Sequence, residues 1–386
     1  MRRLEEILAA CAPSRRKLAE ELGMAASALT QLLNRGTLPK RRWPEIREQM
    51  LSLAEAHGAG REETEAALRE LEQKPAPAPE EQAEQEEDPM ILRKQTLTMQ
   101  ARQAFGLIRN PFSDPETSSE IYLNGESRTI RQVLYEQART GGFMALIGES
   151  GSGKTTLKEE LVTRAQEDQL PIIFIEPYTL AMSESDRMGK PLVAAHIEDA
   201  ILSTVAPGER IPVRPELRRR RMHEILKASS VAGMRHCLII EEAHDLHRQT
   251  LKSLKRFHEL KNGMTRLLSI ILLGQTELEK KLSVTDTSTR EVVQRCEVYH
   301  LPAISEPGEF IRYRFEHAGA DFKAIFSPDA ADAIRESLTV SPDSRGDGVY
   351  MGYPLMIANL ATAALNLAAS VGEKRVTADV VRMVRQ

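Results

Sequence analysis

Short apolar runs separated by amphipathic stretches recur through most of this chain, and five of these runs are predicted strands. A run of four to seven apolar residues bounded by polar ones is typical of a strand that is buried on both faces. The first four lie at residues 143–147, 171–176, 236–240 and 267–273, and the fifth is the strand-like segment 297–301, Glu-Val-Tyr-His-Leu. Because helical patterns separate them, we expect an α/β fold with a parallel five-stranded sheet and flanking helices. Ligands of such folds bind at the carboxyl ends of the strands.

All-helical regions are predicted on both sides of this α/β part. Residues 303–386 read as helices, with the Ala/Leu-rich stretch 354–369 the clearest, and predict a small C-terminal helical lid. Near the N-terminus, residues 14–36 fit two short helices, and Gly23 lies at the turn between them. This pattern resembles the helix-turn-helix of phage repressors, whose second helix enters the DNA major groove. We therefore predict an all-α helix-turn-helix domain over residues 1–72.

The helix-turn-helix interpretation assigns two kinds of DNA contact. The residues expected to face the bases are Ala26, Ser27, Thr30 and Gln31. The residues expected to meet phosphates are Arg15, Arg16, Lys17, Lys40, Arg41 and Arg42. Small and hydroxyl side chains discriminate weakly between bases, so a weak sequence preference is expected. An ordinary helical hairpin with a solvated basic face fits the same residues.

A Pro- and Glu-rich segment, residues 73–95, follows the helical region. Residues 74–90 hold six acidic residues and one lysine, whereas residues 1–47 hold ten Lys/Arg and five Asp/Glu. The segment has too few apolar residues to bury a core, so we predict a disordered, self-repelling linker. It would tether a basic module to the rest of the chain, which we divide into an α/β domain (96–302) and a lid domain (303–386).

The first predicted strand leads into a loop that satisfies the pattern GxxxxGK[ST]. The loop consists of Gly148, Glu149, Ser150, Gly151, Ser152, Gly153, Lys154, Thr155 and Thr156. Its glycines allow backbone N–H groups to surround phosphate oxygens, and the following helix adds the positive end of its dipole. Lys154 would reach the β- and γ-phosphates, and the Thr155 hydroxyl would ligate Mg²⁺. The loop therefore predicts a site for ATP with Mg²⁺; the alternative is a glycine-rich turn before a helix.

Two further strand ends carry polar residues suited to ATP hydrolysis. After the strand at 236–240 come Glu241, which would hold the metal, and Glu242, which would polarise the attacking water. Most P-loop enzymes have Asp at the first position, so Glu241 favours slow hydrolysis. The strand at 267–273 leads to Gln275, a candidate to orient the hydrolytic water. Two solvated acids at a strand end are the alternative for the Glu pair.

Other candidate site residues lie before and after this core. Asn110, Pro111 and Phe112 would form part of an adenine pocket, although a loop that covers the core fits them as well. Arg290 or Arg295 would act as an arginine finger that reaches the γ-phosphate of a neighbouring subunit. A surface salt bridge is the alternative for either arginine.

Composition adds little to these assignments. The 386 residues are 41% hydrophobic with a net charge of −4, and no run of 18 apolar residues appears. We therefore expect a protein without a membrane span. The three cysteines have no metal-ligand spacing, so reduced thiols in the cytoplasm are expected.

Taken together, these residues resemble the AAA+ branch that includes ExeA-type secretion ATPases and the ATPases of DNA transposition from Mu-like phages and TniB-type elements. The matching segments are 110–112, 122–123, 148–156, 238–243, 273–275, 294–295, 299–302 and 352–354, with Leu278. This branch often places a sensor arginine after the Gly-x-Pro segment, but here that position is Leu355. The order of helix-turn-helix, linker and AAA+ core resembles the transposition B proteins of Mu-like phages.

The resemblance implies a concrete function. Subunits with bound ATP would assemble as a helical filament or ring on double-stranded DNA, largely without sequence preference. The assembly would deliver target DNA to a DDE transposase and stimulate strand transfer, and ATP hydrolysis would disassemble it in the bacterial host cytoplasm. An ATP-gated transcription regulator and a loader of the secretion-ATPase type are the alternatives. Basic residues 218–221 with Lys252, Lys255 and Arg256 would line the DNA channel, or form a solvated helical face.

Overall fold

A computed structural model of the chain describes residues 17, 43–57, 60, 61, 64–68, 93–177, 192–283, 289–340 and 349–384. Contacts divide the chain into two compact units, residues 1–88 and 89–386. The division falls inside the predicted linker. Of the candidate DNA-contacting residues of the helix-turn-helix only Lys17 is described, as an exposed helical residue. The other positions, Arg15, Arg16, Ala26, Ser27, Thr30, Gln31, Lys40, Arg41 and Arg42, lie outside the described residues.

The first unit contains a helix, α1, over Trp43–Ala56. Ile46, Met50 and Ala54 are buried at intervals of four residues, which places them on one face of the helix. Residues 64–68 are also helical, and Leu68 among them is fully buried. The described part of this unit is therefore helical and has its own apolar contacts.

The second unit alternates strands and helices up to residue 300. Its helices are α2 (Met99–Ala104), α3 (Gly125–Thr140), α4 (Lys154–Glu167), α5 (Ala194–Val205), α6 (Pro215–Val231), α7 (Arg248–His258), α8 (Thr276–Lys281) and α9 (Arg290–Val293). Its strands are β1 (Phe143–Ile147), β2 (Ile172–Ile175), β3 (Arg235–Ile240), β4 (Lys261–Asn262), β5 (Thr265–Arg266), β6 (Ser269–Gly274) and β7 (Glu297–His300). Strands β4 and β5 form a separate antiparallel hairpin.

The central sheet has five parallel strands in the order β2-β3-β6-β1-β7. The predicted α/β fold with a parallel five-stranded sheet is confirmed, because each of the five apolar runs forms one strand of this sheet. Apolar layers cover both faces. Phe143, Ala145 and Ile147 of β1 pack into one layer, and the alternating Met144 and Leu146 pack into the other.

The C-terminal part forms a third apolar core, as the predicted lid requires. Its helices are α10 (Pro307–His317), α11 (Phe322–Ile325), α12 (Ala330–Ser337), α13 (Pro354–Val371) and α14 (Ala378–Met383). The structure also has a two-stranded hairpin, β8 (Thr339–Val340) with β9 (Val349–Tyr350), which the sequence pattern did not indicate.

The segment before the α/β sheet packs on the lid. Leu97, Ala101 and Leu107 belong to the lid core, although we had assigned them to the α/β domain. The backbone N–H of Gln95, the last predicted linker residue, donates to Asn359 of α13 at 3.2 Å. Apolar burial decides this placement, because α13 offers a face that the short helix α2 can cover.

Helix α13 is unusually apolar. Its 18 residues have a mean hydropathy of 1.5, and among the described helices it is the one whose length and composition would permit a membrane span. It is also 56% buried, with Ile357, Leu360 and Leu365 in the lid core. The core helix of a folded domain can have the same composition, because protein covers most of its surface.

Candidate nucleotide-binding site

The glycine loop connects β1 to α4 at the carboxyl edge of the sheet, as the sequence predicts. Gly151 has φ +73° and Gly153 has φ +98°, a left-handed conformation that favours glycine. A Cβ atom on Gly151 would also lie 2.5 Å from the Cβ atom of Leu355. Residue 151 therefore requires glycine both for its backbone angle and for the close approach of the lid.

Lys154 begins α4 and folds over the loop. Its Nζ donates to the carbonyl oxygens of Gly148 at 2.7 Å and Glu149 at 2.8 Å. Burial lowers the pKa of Lys154, and the nearby charges of Glu242 and Glu149 act in the opposite direction. The ammonium group thus lies at the mouth of the loop, where the first turn of α4 also presents its N–H groups.

A cavity of about 410 Å³ opens beside the loop. The glycine loop and the start of α4 line one part of it, from Ser150 to Leu157, together with Glu242 and Gln275. Segments 112–115 and 121–123 line another part. The lid contributes Phe310, Arg314, Pro354, Leu355 and Ala358. The Ser152 hydroxyl is buried and has no hydrogen-bond partner among the described residues. A triphosphate fits this arrangement, because the polar loop lies at one end and apolar side chains suited to a base lie at the other.

Thr155 and Glu241 meet at the position expected for the metal. The Thr155 hydroxyl donates to Glu241 Oε2 at 3.1 Å, although Thr155 follows β1 and Glu241 follows β3. The other carboxylate oxygen accepts from Lys158 Nζ at 2.9 Å. A hydroxyl and a carboxylate are oxygen ligands of the type that Mg²⁺ prefers, so these two residues fit that ion.

Glu242 has a strained backbone, with φ +48° and ψ +39°. Its Oε2 lies 3.2 Å from Nδ1 of His244. The backbone N–H of Gln275 lies 3.5 Å from the same ring nitrogen. His244 therefore stands between the two residues that we had assigned to hydrolysis, and both of them line the cavity. A non-glycine residue in this region of backbone space is costly and is found most often at functional sites.

Arg314 of the lid binds three backbone carbonyls of the segment at 110–120, which also contacts Tyr313 and Phe310. Arg314 of α10 is 8% exposed and donates to the carbonyl oxygens of Pro111 and Glu120, each at 2.8 Å, and to that of Ser113. Burial lowers its pKa. Asn110 makes a local turn, with its side chain accepting from the N–H of Phe112 at 3.1 Å. Of the three residues predicted for the adenine pocket, Phe112 lines the cavity.

The two candidate finger arginines differ in their surroundings. Arg295 pairs with Glu259 at 3.0 Å and donates to the carbonyl of Glu291. Arg290 is exposed and has no side-chain partner within the part of the chain that the structure describes. The position expected for a sensor arginine holds Leu355. Its backbone N–H donates to the carbonyl oxygen of Gly151 at 3.2 Å.

The other basic residues proposed for a DNA channel are mostly paired. Two arginines of α6 form ion pairs with residues outside that helix. Arg219 pairs with the buried Glu198 of α5 at 2.9 Å, and Arg221 pairs with Glu209 at 2.6 Å. Lys255 pairs with Glu291. Such pairs are typical of a solvated helical face, which was the alternative interpretation. The thiols of Cys237 and Cys296 are buried, which raises the pKa of each to about 12 and keeps both protonated.

Sequence reasoning missed Lys158, His244 and Arg314. The spacing of Lys158, four residues after Lys154, is a signal that it shares the loop-facing side of α4. His244 follows the acidic pair directly, so its proximity was also readable. Arg314 has no such signal, because its three acceptors are backbone carbonyls some 200 positions earlier in the chain.

Fold and site together define a P-loop nucleotide-binding protein of the α/β class. Residues 137–282 match a protein-family model described as an AAA domain. Over these residues the chain is therefore similar to an AAA domain, and the parallel sheet and flanking helices described above form an α/β P-loop fold of the AAA+ kind.

Several known proteins are similar to this chain. General secretion pathway protein A of Aeromonas hydrophila is 27% identical over 240 residues, which are 60% of this chain and 40% of that protein. Heat shock protein 104 of Schizosaccharomyces pombe is 26% identical over 208 residues, 52% of this chain and 22% of that protein. The chain therefore spans less than half the length of either relative.

Among solved structures, the Aeropyrum pernix ORC2 protein in its ADPNP–ADP complexes has a TM-score of 0.48 and 18% identity, and the match covers 72% of this chain and 71% of that one. Drosophila ORC bound to DNA has a TM-score of 0.46 and 15% identity, with 74% of this chain and 64% of that one covered.

Proposed function

We propose that this protein is an ATPase that assembles on double-stranded DNA when it binds ATP, delivers that DNA to a DDE transposase and is released from it by hydrolysis. One observation carries the assembly step. Leu355 occupies the lid position where this branch often places an arginine, so the site lacks that cation, while Arg290 is exposed and without a partner among the described residues. A second copy would complete the site with Arg290.

The proposed roles of the site residues follow from their positions. The loop from Gly148 to Thr156 and Lys154 bind the phosphates, and residues near Phe112 cover the base. Thr155 and Glu241 hold Mg²⁺, which when bound neutralises phosphate charge. Glu242 accepts the proton of the attacking water, and Gln275 orients that water.

Hydrolysis would control assembly because γ-phosphate contacts from two subunits exist only in the ATP state. Arg290 of the next copy would lose its anionic partner once the phosphate leaves. ATP would then act as a switch on the subunit interface, and the DNA-bound assembly would fall apart. DNA contacts are proposed for the helix-turn-helix residues, with weak sequence preference.

The similarity to General secretion pathway protein A supports a second candidate, an ATPase that loads another machine such as a secretion apparatus. The two candidates differ in their dependence on DNA. An ATPase of transposition should be stimulated by duplex DNA and by its transposase, whereas a loader of a secretion machine should respond to neither.

Electron microscopy of the full chain with long duplex DNA tests the proposal. We expect filaments or rings with ATP, few with ADP, and none with Lys154→Ala, because that variant loses the cation that grips the phosphates. Lys374→Ala, which removes an exposed lysine between α13 and α14 that does not line the cavity, is the matched control and should assemble normally. If the wild-type chain binds ATP but stays monomeric on DNA, the transposition proposal is wrong.

A further inference from the structure

Lys158 connects the proposed metal ligand to a second acidic residue. Its Nζ lies 2.9 Å from Glu241 Oε1 and 2.9 Å from Glu176 Oε2. The lysine side chain is 12% exposed, whereas the two carboxylates are 38% and 44% exposed. Lys158 therefore forms two ion pairs at the edge of the site, one of them with the proposed metal ligand.

The fold brings these three charges together. Lys158 lies one helical turn after Lys154 on α4, so it is on the same side of that helix. Glu176 follows β2 directly and Glu241 follows β3 directly, and these strands are parallel neighbours. Both carboxylates are consequently held at one edge of the sheet, where α4 crosses above them.

Glu241 is shared between two partners. Its Oε2 accepts from Thr155, and its Oε1 accepts from Lys158. The carboxylate that would support Mg²⁺ is thus already neutralised by a lysine of the same chain. An aspartate at this position would be one methylene shorter, so the glutamate provides additional reach toward Lys158.

We propose that Lys158 is a built-in counter-ion that competes with Mg²⁺ for Glu241 and thereby sets the Mg²⁺ concentration at which the site takes up nucleotide. The inference rests on the proposed function only in that the site binds ATP with Mg²⁺. Without the ion, Lys158 balances the charge of Glu241 and keeps the side chain in place beside Thr155. When the ion arrives, Lys158 retains Glu176 as a partner, so the ammonium group is not left unpaired in a largely buried position.

Two substitutions move the local charge in opposite directions. Lys158→Met removes one positive charge, and Glu176→Gln removes one negative charge from the exposed partner. Two unit charges a few ångströms apart change a binding constant by at least about fivefold, the value in water, and by more near a protein surface. We therefore expect the Mg²⁺ midpoint to fall by about five- to tenfold in Lys158→Met and to rise by about two- to fivefold in Glu176→Gln.

The measurement is binding of a fluorescent, non-hydrolysable ATP analogue to the full chain as a function of Mg²⁺ concentration. Lys158→Arg keeps the charge and should keep the wild-type midpoint. Lys255→Met removes a similarly enclosed, paired lysine on α7 and controls for the loss of a positive charge elsewhere. Thermal unfolding of each variant confirms that it is folded.

Opposite shifts in the two variants support the counter-ion. If the Mg²⁺ midpoint rises in both variants, Lys158 only maintains the structure of the site. If the midpoint is unchanged in both, Lys158 has no influence on the ion. Either result overturns the inference. Failure of the wild-type chain to bind the analogue at any Mg²⁺ concentration would instead contradict the proposed function.

Discussion

At the scale of single residues, the arrangement around Glu242 decides which groups can act on a water molecule. Glu242 is held in a left-handed backbone conformation, beside His244, and lines the same cavity as Gln275. Lys154 and Thr155 have separate positions on α4. The residues proposed to bind nucleotide and the residue proposed to activate water are therefore different side chains, so a substitution should affect one role without the other.

Glu242→Gln is the corresponding prediction. The amide keeps the shape of the side chain but cannot accept a proton, so ATP turnover should fall by about a hundredfold or more while ATP binding is retained. The DNA-bound assembly should also persist longer, because hydrolysis releases it. Single-turnover hydrolysis and dissociation from DNA measure the two effects.

Asp245→Asn is the matched control for this change. Asp245 is exposed, lies three residues along from Glu242 and also approaches His244, at 3.8 Å. ATP turnover by the Asp245→Asn variant should resemble that of the wild-type chain. Faster dissociation of the Glu242→Gln assembly from DNA would contradict the role given to this residue.

At the scale of elements, the lid reaches the nucleotide site from two directions. The N-terminal end of α13 contacts the loop through Leu355 and Gly151, and α10 holds the segment at 111–120 through Arg314. Both contacts join segments that are far apart in the chain. The shape of the cavity beside the loop thus depends on lid packing rather than on local sequence.

Arg314→Met tests this dependence. The change leaves three carbonyl oxygens without their donor, so we expect the free energy of unfolding to fall by about 2–4 kcal/mol. Affinity for the ATP analogue should fall by about tenfold or more because the segment that includes Phe112 loses its anchor. Denaturant unfolding and nucleotide titration are the two measurements.

Arg312→Met provides the comparison on the same helix. Arg312 is 50% exposed and pairs with Glu316 one turn away, an arrangement that contributes little to stability. We expect less than about 0.5 kcal/mol of destabilisation and normal nucleotide affinity. Equal effects of the two substitutions would show that Arg314 does not organise the pocket.

At the scale of the whole molecule, the α/β part and the lid are built from residues of the second unit. The two layers on the sheet and the lid core consist of residues between Leu97 and Val384. The basic excess of the chain lies in residues 1–47 instead. The proposed nucleotide site and the proposed DNA contacts therefore belong to different units.

A chain shortened to residues 89–386 should therefore keep its fold and its site. We expect its unfolding midpoint to lie within about 2 °C of the corresponding transition of the full chain, with unchanged affinity for the ATP analogue. Affinity for duplex DNA at low salt should fall at least tenfold, because phosphate contacts from the basic unit are lost. Undiminished DNA binding would locate the contacts on the AAA domain.

Local pattern determined much of this protein in advance. The five apolar runs, the glycine loop and the acids after β3 are recognisable in the chain because each is a continuous stretch whose residues interact with their near neighbours or with one ligand. The parallel sheet follows from the alternation of strands and helices. These features needed no knowledge of distant contacts.

Tertiary structure alone decided which charges meet. Lys158 bridges Glu176 and Glu241, Arg314 binds carbonyls of a segment some 200 positions earlier in the chain, and the stretch around Leu97 joins the lid rather than the sheet. Each of these pairings depends on the order of strands in the sheet or on the packing of one element over another. A linear pattern records the residues but not their distances in space, and the electrostatics of the site depend on those distances.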